Sequence, residues 1–520
     1  MAVLTSAALL TQPLEALAGP VLPEPLSVDI NSQGYYQGIW GDKSRSFLTQ
    51  GWFEQHNLTA RYSKRTEQGI DINSQINAQA TDDPLITAQR GKWQLLGGFF
   101  SAEKPQHFRI EGGNIVPQAS RATLTASVLG VGGYYQSRVP KAPTRVTLIG
   151  GQIQPSVEGR QFQRGVAGVS VAQGVSGGLG SVKLQANAFR VEDMDGSIEH
   201  KLGLSRFASW VYSLNADIRS RLGLGLASEA AFTRSDNGQI NGRSVWLSPS
   251  FRKGIFSAAA NLEKNTPRFI NPVGSISSDL EKADATLAVG KVHQITANAL
   301  YTVNNVEGQL SATSKTRSLG ATAKTVPFQH SDALKALSIN GDYRLTRADG
   351  ASHGQTQQAG LGLGWTSEGI SASLRGEYVP FRDYNDTANN RDTYRGIWQM
   401  GLRLANEAGV TLNPYWNLSA ERSRNLASNL KSRSQTASAG LIATYLDRFA
   451  LGLRHDFQYR VSQPNERTLR NNATQVSTRF QLKTAAPIQL GLSYTYKDYR
   501  DSSLNRFGEN ELRGTVNVKF

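Results

Sequence analysis

The 520 residues contain no cysteine. That removes structural disulfides, thiolate metal sites, covalent haem attachment and a lipidated cysteine anchor. No stretch approaches the roughly 18–20 consecutive apolar residues that a membrane-crossing helix requires. Glycine is abundant, at 50 residues, yet no phosphate-cradling or dinucleotide fingerprint follows a strand and opens a helix. The seven histidines (56, 107, 200, 293, 330, 353, 455) fall without ligand-like spacing, so no metal is expected. Nothing marks a serine with a histidine and an acid on one side of the chain. The sequence therefore implies neither an enzyme nor a cofactor.

What is present is alternation. The last strand carries Leu512, Gly514, Val516, Val518 and Phe520 on one face, and Arg513, Thr515, Asn517 and Lys519 on the other. Period two of this kind is the signature of a strand with one apolar face. Before it, Ile488, Leu490, Leu492, Tyr494 and Tyr496 oppose Gln489, Gly491, Ser493, Thr495 and Lys497. The same split recurs at Val476 to Leu482, Phe449 to Tyr459, Tyr394 to Leu404 and Ile370 to Tyr378. On the apolar side of Phe449 to Tyr459, His455 is the one discordant residue, a position suited to a membrane interface. Glycines 360, 362 and 364 read as thin-walled strand positions.

The connections form a second, independent pattern. Short turns at Thr484 to Pro487, Asp447-Arg448, Asn406 to Gly409, Thr366 to Gly369 and Arg252 to Gly254 interleave with long polar segments. Those segments are Asp498 to Gly508, Ser462 to Asn472, Glu421 to Ser434, Arg382 to Asp392, Thr346 to Gln357 and Asn265 to Ser278. A soluble sandwich has no reason to sort loop length by side, whereas a transmembrane barrel does. The expected fold is all-β: one large antiparallel transmembrane barrel of about 26 strands, with 22 or 24 and a small N-terminal plug left open. Eight tryptophans and many tyrosines supply its interface girdles.

Residues 1–18 (apolar, small-residue-rich, ending Ala16-Leu17-Ala18) read as a signal peptide. Residues 19–44, opening with GPVLPEP, read as a linker because repeated prolines oppose helix and central strand. The barrel is expected over residues 45–520.

A terminal Phe520 preceded at alternate positions by Val518, Val516 and Leu512 resembles the C-terminal signal read by the barrel-assembly machinery of Gram-negative outer membranes. The resemblance implies an outer-membrane location, periplasmic short turns, extracellular loops, and lipid and the assembly machinery as partners. It points to no particular porin or exporter family.

The net charge of +15 acquires meaning once faces are assigned. The polar side from Leu337 onward holds Arg344, Arg375, Arg395, Arg403, Arg454, Arg460, Arg479, Lys483, Lys497, Arg513 and Lys519 against Asp342, Glu377, Glu421 and Asp456. Such a lumen is expected to prefer anions or an anionic polymer. Cross-strand pairing that merely stabilises a wet interior is the bland alternative. Nucleic acid is not an expected partner. The functional expectation is a pore for transport or export, constricted by infolded loops if passive. Its alternative is a barrel that sheathes a partner protein, because so wide a lumen left empty would breach the membrane.

Overall fold

The computed structural model describes residues 25–520 except 47, 85–86, 88–91, 118, 138, 140, 154–163, 195–207, 237, 239–240, 272, 308–311, 330, 332–333, 351–352, 447, 464–466, 483–486 and 503. The expected signal peptide lies outside these residues. Strand follows strand from Leu26–Gly41 to Leu504–Lys519, each antiparallel to the next. The two-residue segment Leu404–Ala405 continues Arg391–Leu402 beyond Arg403 against the same neighbour, so the wall has 26 strands. Leu26–Gly41 also pairs with Leu504–Lys519, from Asp29↔Lys519 to Gly41↔Phe507, and this closes the sheet on itself. Closure leaves no strand edge with unpaired backbone groups.

The first strand corrects the sequence reading. Most of the segment expected as a linker is wall, because strand Leu26–Gly41 lies inside residues 19–44. Its outward positions include Ser32, Gly34 and Gly38 beside Val28, Ile30 and Tyr36, so the apolar alternation is broken where the backbone ladder is not. The irregular segments before Arg121, including Asp71–Thr81 and Trp93–Lys104, are also wall strands and not a plug.

Several expected loops are shorter than their polar composition suggests. Strands run on through Asp501 and resume at Leu504, and similarly connect Asn425 to Lys431 and Asp349 to Gly354. Above the apolar zone a strand needs only its ladder, and both faces are free to be polar. Residues 266–279 do form a long connection, as expected. At the opposite end the turns are tight. Gly290, for example, has a φ of +106°, and a Cβ there would lie 1.7 Å from the His293 carbonyl oxygen, so only glycine fits.

The alternation sorts side chains by face throughout. Outward positions include Leu214, Leu361, Leu374, Leu453 and Leu492, each well exposed. Their strand neighbours Ser213, Gly360, Arg375, Arg454 and Ser493 point inward.

Candidate functional site: the lumen and its inward loops

The largest buried apolar cluster of this barrel lies inside the wall, formed by Ile115, Val128, Ile149, Ile153, Val166, Phe189 and Val191 with Leu124 and Val273. The first seven are inward wall positions. The last two belong to the connections 116–127 and 266–279, which enter from the loop end and fold onto the inner wall. A second cluster joins Ala122, Phe269 and Ile276 to the wall residue Ala231.

The two loops are also bonded to each other. Asn271 Nδ2 donates to the carbonyl oxygens of Ala122 (2.6 Å) and Thr123 (2.8 Å), and its Oδ1 accepts from the Val273 amide (3.2 Å). The Thr125 and Ala126 amides reach the Val273 carbonyl, and the Ser275 amide reaches that of Arg121. The wall holds the pair by polar contacts: Arg121 to Glu263 at 2.7 Å, the Ala122 amide to Glu229 Oε1 at 3.2 Å, and Ser120 to Ser213 at 2.9 Å. Arg121 also lies 5.1 Å from the ring centre of Trp246. Buried backbone groups in a loop must find such partners, and here the partners are one another and the inner wall. The sequence marks residues 266–279 only as a long connection; no local signal distinguishes an inward loop from an outward one.

The C-terminal wall carries a ladder of alternating charge. Arg375 donates to Asp342 Oδ1 (2.6 Å) and Glu377 Oε1 (2.6 Å), while Arg395 donates to Glu421 Oε2 (2.6 Å) and lies 3.5 Å from Glu377 Oε2. Arg375 reaches Asp342 across the intervening strand Gly354–Thr366, over Gly360. A Cβ on Gly360 would lie 2.7 Å from Arg375 Nη2 and 2.8 Å from Asp342 Oδ1. The thin-walled glycine thus has a use: it opens the path for a two-strand bridge.

Of the expected lumen residues, Arg344, Arg375, Arg395, Arg454, Arg460, Arg479, Lys497, Arg513 and Lys519 stand at inward strand positions. Arg403 sits at the break in its strand, at the turn end, and Lys483 lies outside the described residues. Five of the nine are paired. Besides Arg375 and Arg395, Arg454 meets Asp456 at 2.8 Å, Lys497 meets Glu509 at 3.7 Å and Arg513 meets Glu511 at 2.9 Å. Glu509 and Glu511 lie between the expected loop and the expected strand, and they join the wall because the last strand starts at Leu504, inside that loop. Arg344, Arg460, Arg479 and Lys519 make no ion pair among the described residues. On this wall each of Asp342, Glu377, Glu421, Asp456, Glu509 and Glu511 is already engaged by a base.

Outside, aromatic side chains gather toward the loop end: Tyr36 with Trp52, Trp40 with Tyr496, Trp210 with Tyr212, and Tyr378 with Tyr394. A closed, even-stranded wall with an apolar outer face, aromatic pairs near its rim and a polar interior satisfies every demand of a bilayer. This is an outer-membrane β-barrel. Its turn end, which holds Leu26 and Phe520, is the periplasmic end, and the two inward loops enter from the extracellular side. Among the described residues no helix is long and apolar enough to cross a membrane, and no group of three or more His, Asp or Glu could hold a metal ion.

The residues of the terminal signal fall at the closing seam. Leu512, Val516 and Val518 point outward, opposite Tyr36, Ser32 and Ile30, and Phe520 exchanges two backbone hydrogen bonds with Val28 (2.9 and 3.1 Å).

No family model matches the chain, and no curated protein does. Among solved structures, the barrel is similar to the P pilus usher (PapC) translocation pore at 10% identity, over 95% of this chain and 99% of that one, with a TM-score of 0.36. It is similar to OccAB4 of Acinetobacter baumannii at 10% identity, over 96% and 100%, with a TM-score of 0.29. The outer membrane protein opdK of Pseudomonas aeruginosa matches at 9% identity, over 96% and 99%, with a TM-score of 0.30.

Proposed function

We propose that the chain is an outer-membrane pore that passes anionic solutes or an anionic polymer. The observation that carries this is the charge left over after pairing. From Leu337 to Lys519 the six inward acids named above share five bases, and Arg344, Arg460, Arg479 and Lys519 have no acid partner among the described residues, so nine bases stand against six acids. A focused positive field in a water-filled lumen raises the local concentration of anions. In planar bilayers under a salt gradient, the reversal potential should show anion preference. Replacing the four unpaired bases by glutamine should move it toward zero, and cation preference in the unmodified protein would overturn the proposal.

A second reading is favoured by width. Twenty-six strands spaced about 4.8 Å apart and tilted about 40° give a perimeter of about 160 Å, roughly 50 Å across if round. Loops 116–127 and 266–279 line one side of such a space and cannot fill it. A partner protein or polymer seated in the lumen would complete the seal, and near-silent bilayers from protein purified with its partner would support this reading. No catalytic role is proposed. The barrel-assembly machinery is the proposed reader of the terminal strand.

A further inference from the structure

The strand register sets cation directly against cation on the outward face near the extracellular rim. Arg422 is the cross-strand partner of Arg433, Arg424 of Lys431, and Arg470 of Arg500. Directly opposed like charges weaken an antiparallel pair. Arg500 leans on Asp498 at 2.9 Å, Arg470 on the ring of Tyr459 at 5.3 Å, and Arg424 donates to Asn429 at 2.8 Å. The side chains of Arg422, Arg433 and Lys431 have no such neighbour among the described residues. On the four strands from Val410 to Leu482, the outward positions of the extracellular half hold Arg422, Arg424, Lys431, Arg433 and Arg470 and no acid; on the flanking strand Asp392 faces Arg424 and is paired with Arg382 at 2.7 Å.

Height and relief point to the anion's source. Arg422 stands opposite Tyr394 and Arg470 opposite Tyr459, so the patch is level with aromatic residues of the lipid-facing wall. The outward row next to Arg422 and Arg433 reads Ala420, Gln435, Tyr459; the two below it read Leu418, Ala437, Phe457 and Trp416, Ala439, His455. Below Gln435, Ala437 and Ala439 between large side chains leave a shallow trough in the apolar zone, with Ala420 as the small residue between it and Arg422. A soluble anion would have no use for such a trough; a lipid would.

We propose that this arc binds the phosphate-bearing headgroup of an outer-leaflet lipid, with an acyl chain in the Ala437–Ala439 trough. The phosphate bridges the opposed Arg422 and Arg433 and cancels their repulsion. The site is independent of what crosses the lumen.

The test uses the full-length barrel in neutral detergent, titrated with bis-phosphorylated lipid A, its dephosphorylated form, and inorganic phosphate. The phosphorylated lipid should bind, the dephosphorylated form about tenfold or more weakly, and inorganic phosphate should not compete at equal concentration. The double variant Arg422→Gln, Arg433→Gln should lose about 25-fold in affinity, roughly fivefold for each charge, while Arg422→Lys, Arg433→Lys should retain most of it. Folding is controlled by a change of sign: without lipid the glutamine variant should unfold at the same or a higher temperature, and with lipid at a lower one than the unmodified barrel. Equal binding of both lipids, full competition by inorganic phosphate, or a glutamine variant that binds normally would each overturn the proposal.

Discussion

At the scale of single residues, glycine decides how closely neighbouring strands of this wall approach. Gly113, Gly130 and Gly151 are cross-strand partners in one inward row. A Cβ at Gly130 would lie 2.1 Å from the Gly150 carbonyl oxygen and 2.6 Å from the Gly151 Cα, both backbone atoms that cannot turn aside. Gly34, also in a strand, has nothing within 4 Å of that position. Gly130→Ala should therefore cost about 1–3 kcal/mol or more by overpacking, and Gly34→Ala should stay within about 0.5 kcal/mol. Denaturant midpoints of the detergent-solubilised barrel would separate the two, and equal effects would refute the packing argument. Gly360 is a different case, since the atoms over it are the ends of side chains. Its glycine keeps the Arg375–Asp342 bridge open and leaves the backbone indifferent.

At the scale of elements, the two inward loops stand or fall together. Each presents backbone groups that the other satisfies, and Asn271 alone makes two of those bonds while a third, from the Val273 amide, holds its side chain in place. Its amide is buried, so Asn271→Ala leaves the Ala122 and Thr123 carbonyls without that donor. The expected loss is about 1–3 kcal/mol of local stability, concentrated where opening is local. Hydrogen exchange at residues 119–127 and 273–276 should speed up about ten- to a hundredfold, with the C-terminal wall strands unchanged. Single-channel current should become noisier in the same variant. A uniform loss of protection would instead make the loops part of the barrel's global cooperative unit.

At the scale of the whole molecule, closure joins residues nearly the full chain apart. The seam runs from Asp29↔Lys519 to Gly41↔Phe507, and Phe520 adds its backbone pair with Val28 at the periplasmic end. Removing Phe520 deletes two hydrogen bonds, worth about 0.5–1.5 kcal/mol each, and leaves the rest of the seam register intact. The thermal midpoint of barrels that do form should hardly move, while the fraction assembled in cells should fall sharply if the last residue is read during assembly. A fall in midpoint without a fall in assembled fraction would assign Phe520 a purely structural role.

The sequence by itself determined the all-β alternation, the approximate strand number, which face of each C-terminal strand meets lipid, and the ends at which turns are short. All of these are local: a period of two and the chemistry of turns are written within a few residues of one another. It also placed Arg375, Arg395, Arg454 and Arg513 on the inner face. Glu377, Asp456 and Glu511 lie two residues from Arg375, Arg454 and Arg513 on the same strand face. Only the tertiary structure decided that Arg375 also meets Asp342 and that Arg395 meets Glu377 and Glu421, because those pairs depend on register between strands. Leu26–Gly41 became wall for the same reason: its outward face is too polar to announce a strand, and its partners Gly51–Arg65 and Leu504–Lys519 supply the ladder. The inward turn of loops 116–127 and 266–279 is decided by buried contacts among Leu124, Val273 and Phe189 and by the hydrogen bonds of Asn271. Those contacts exist only once the barrel has closed around them.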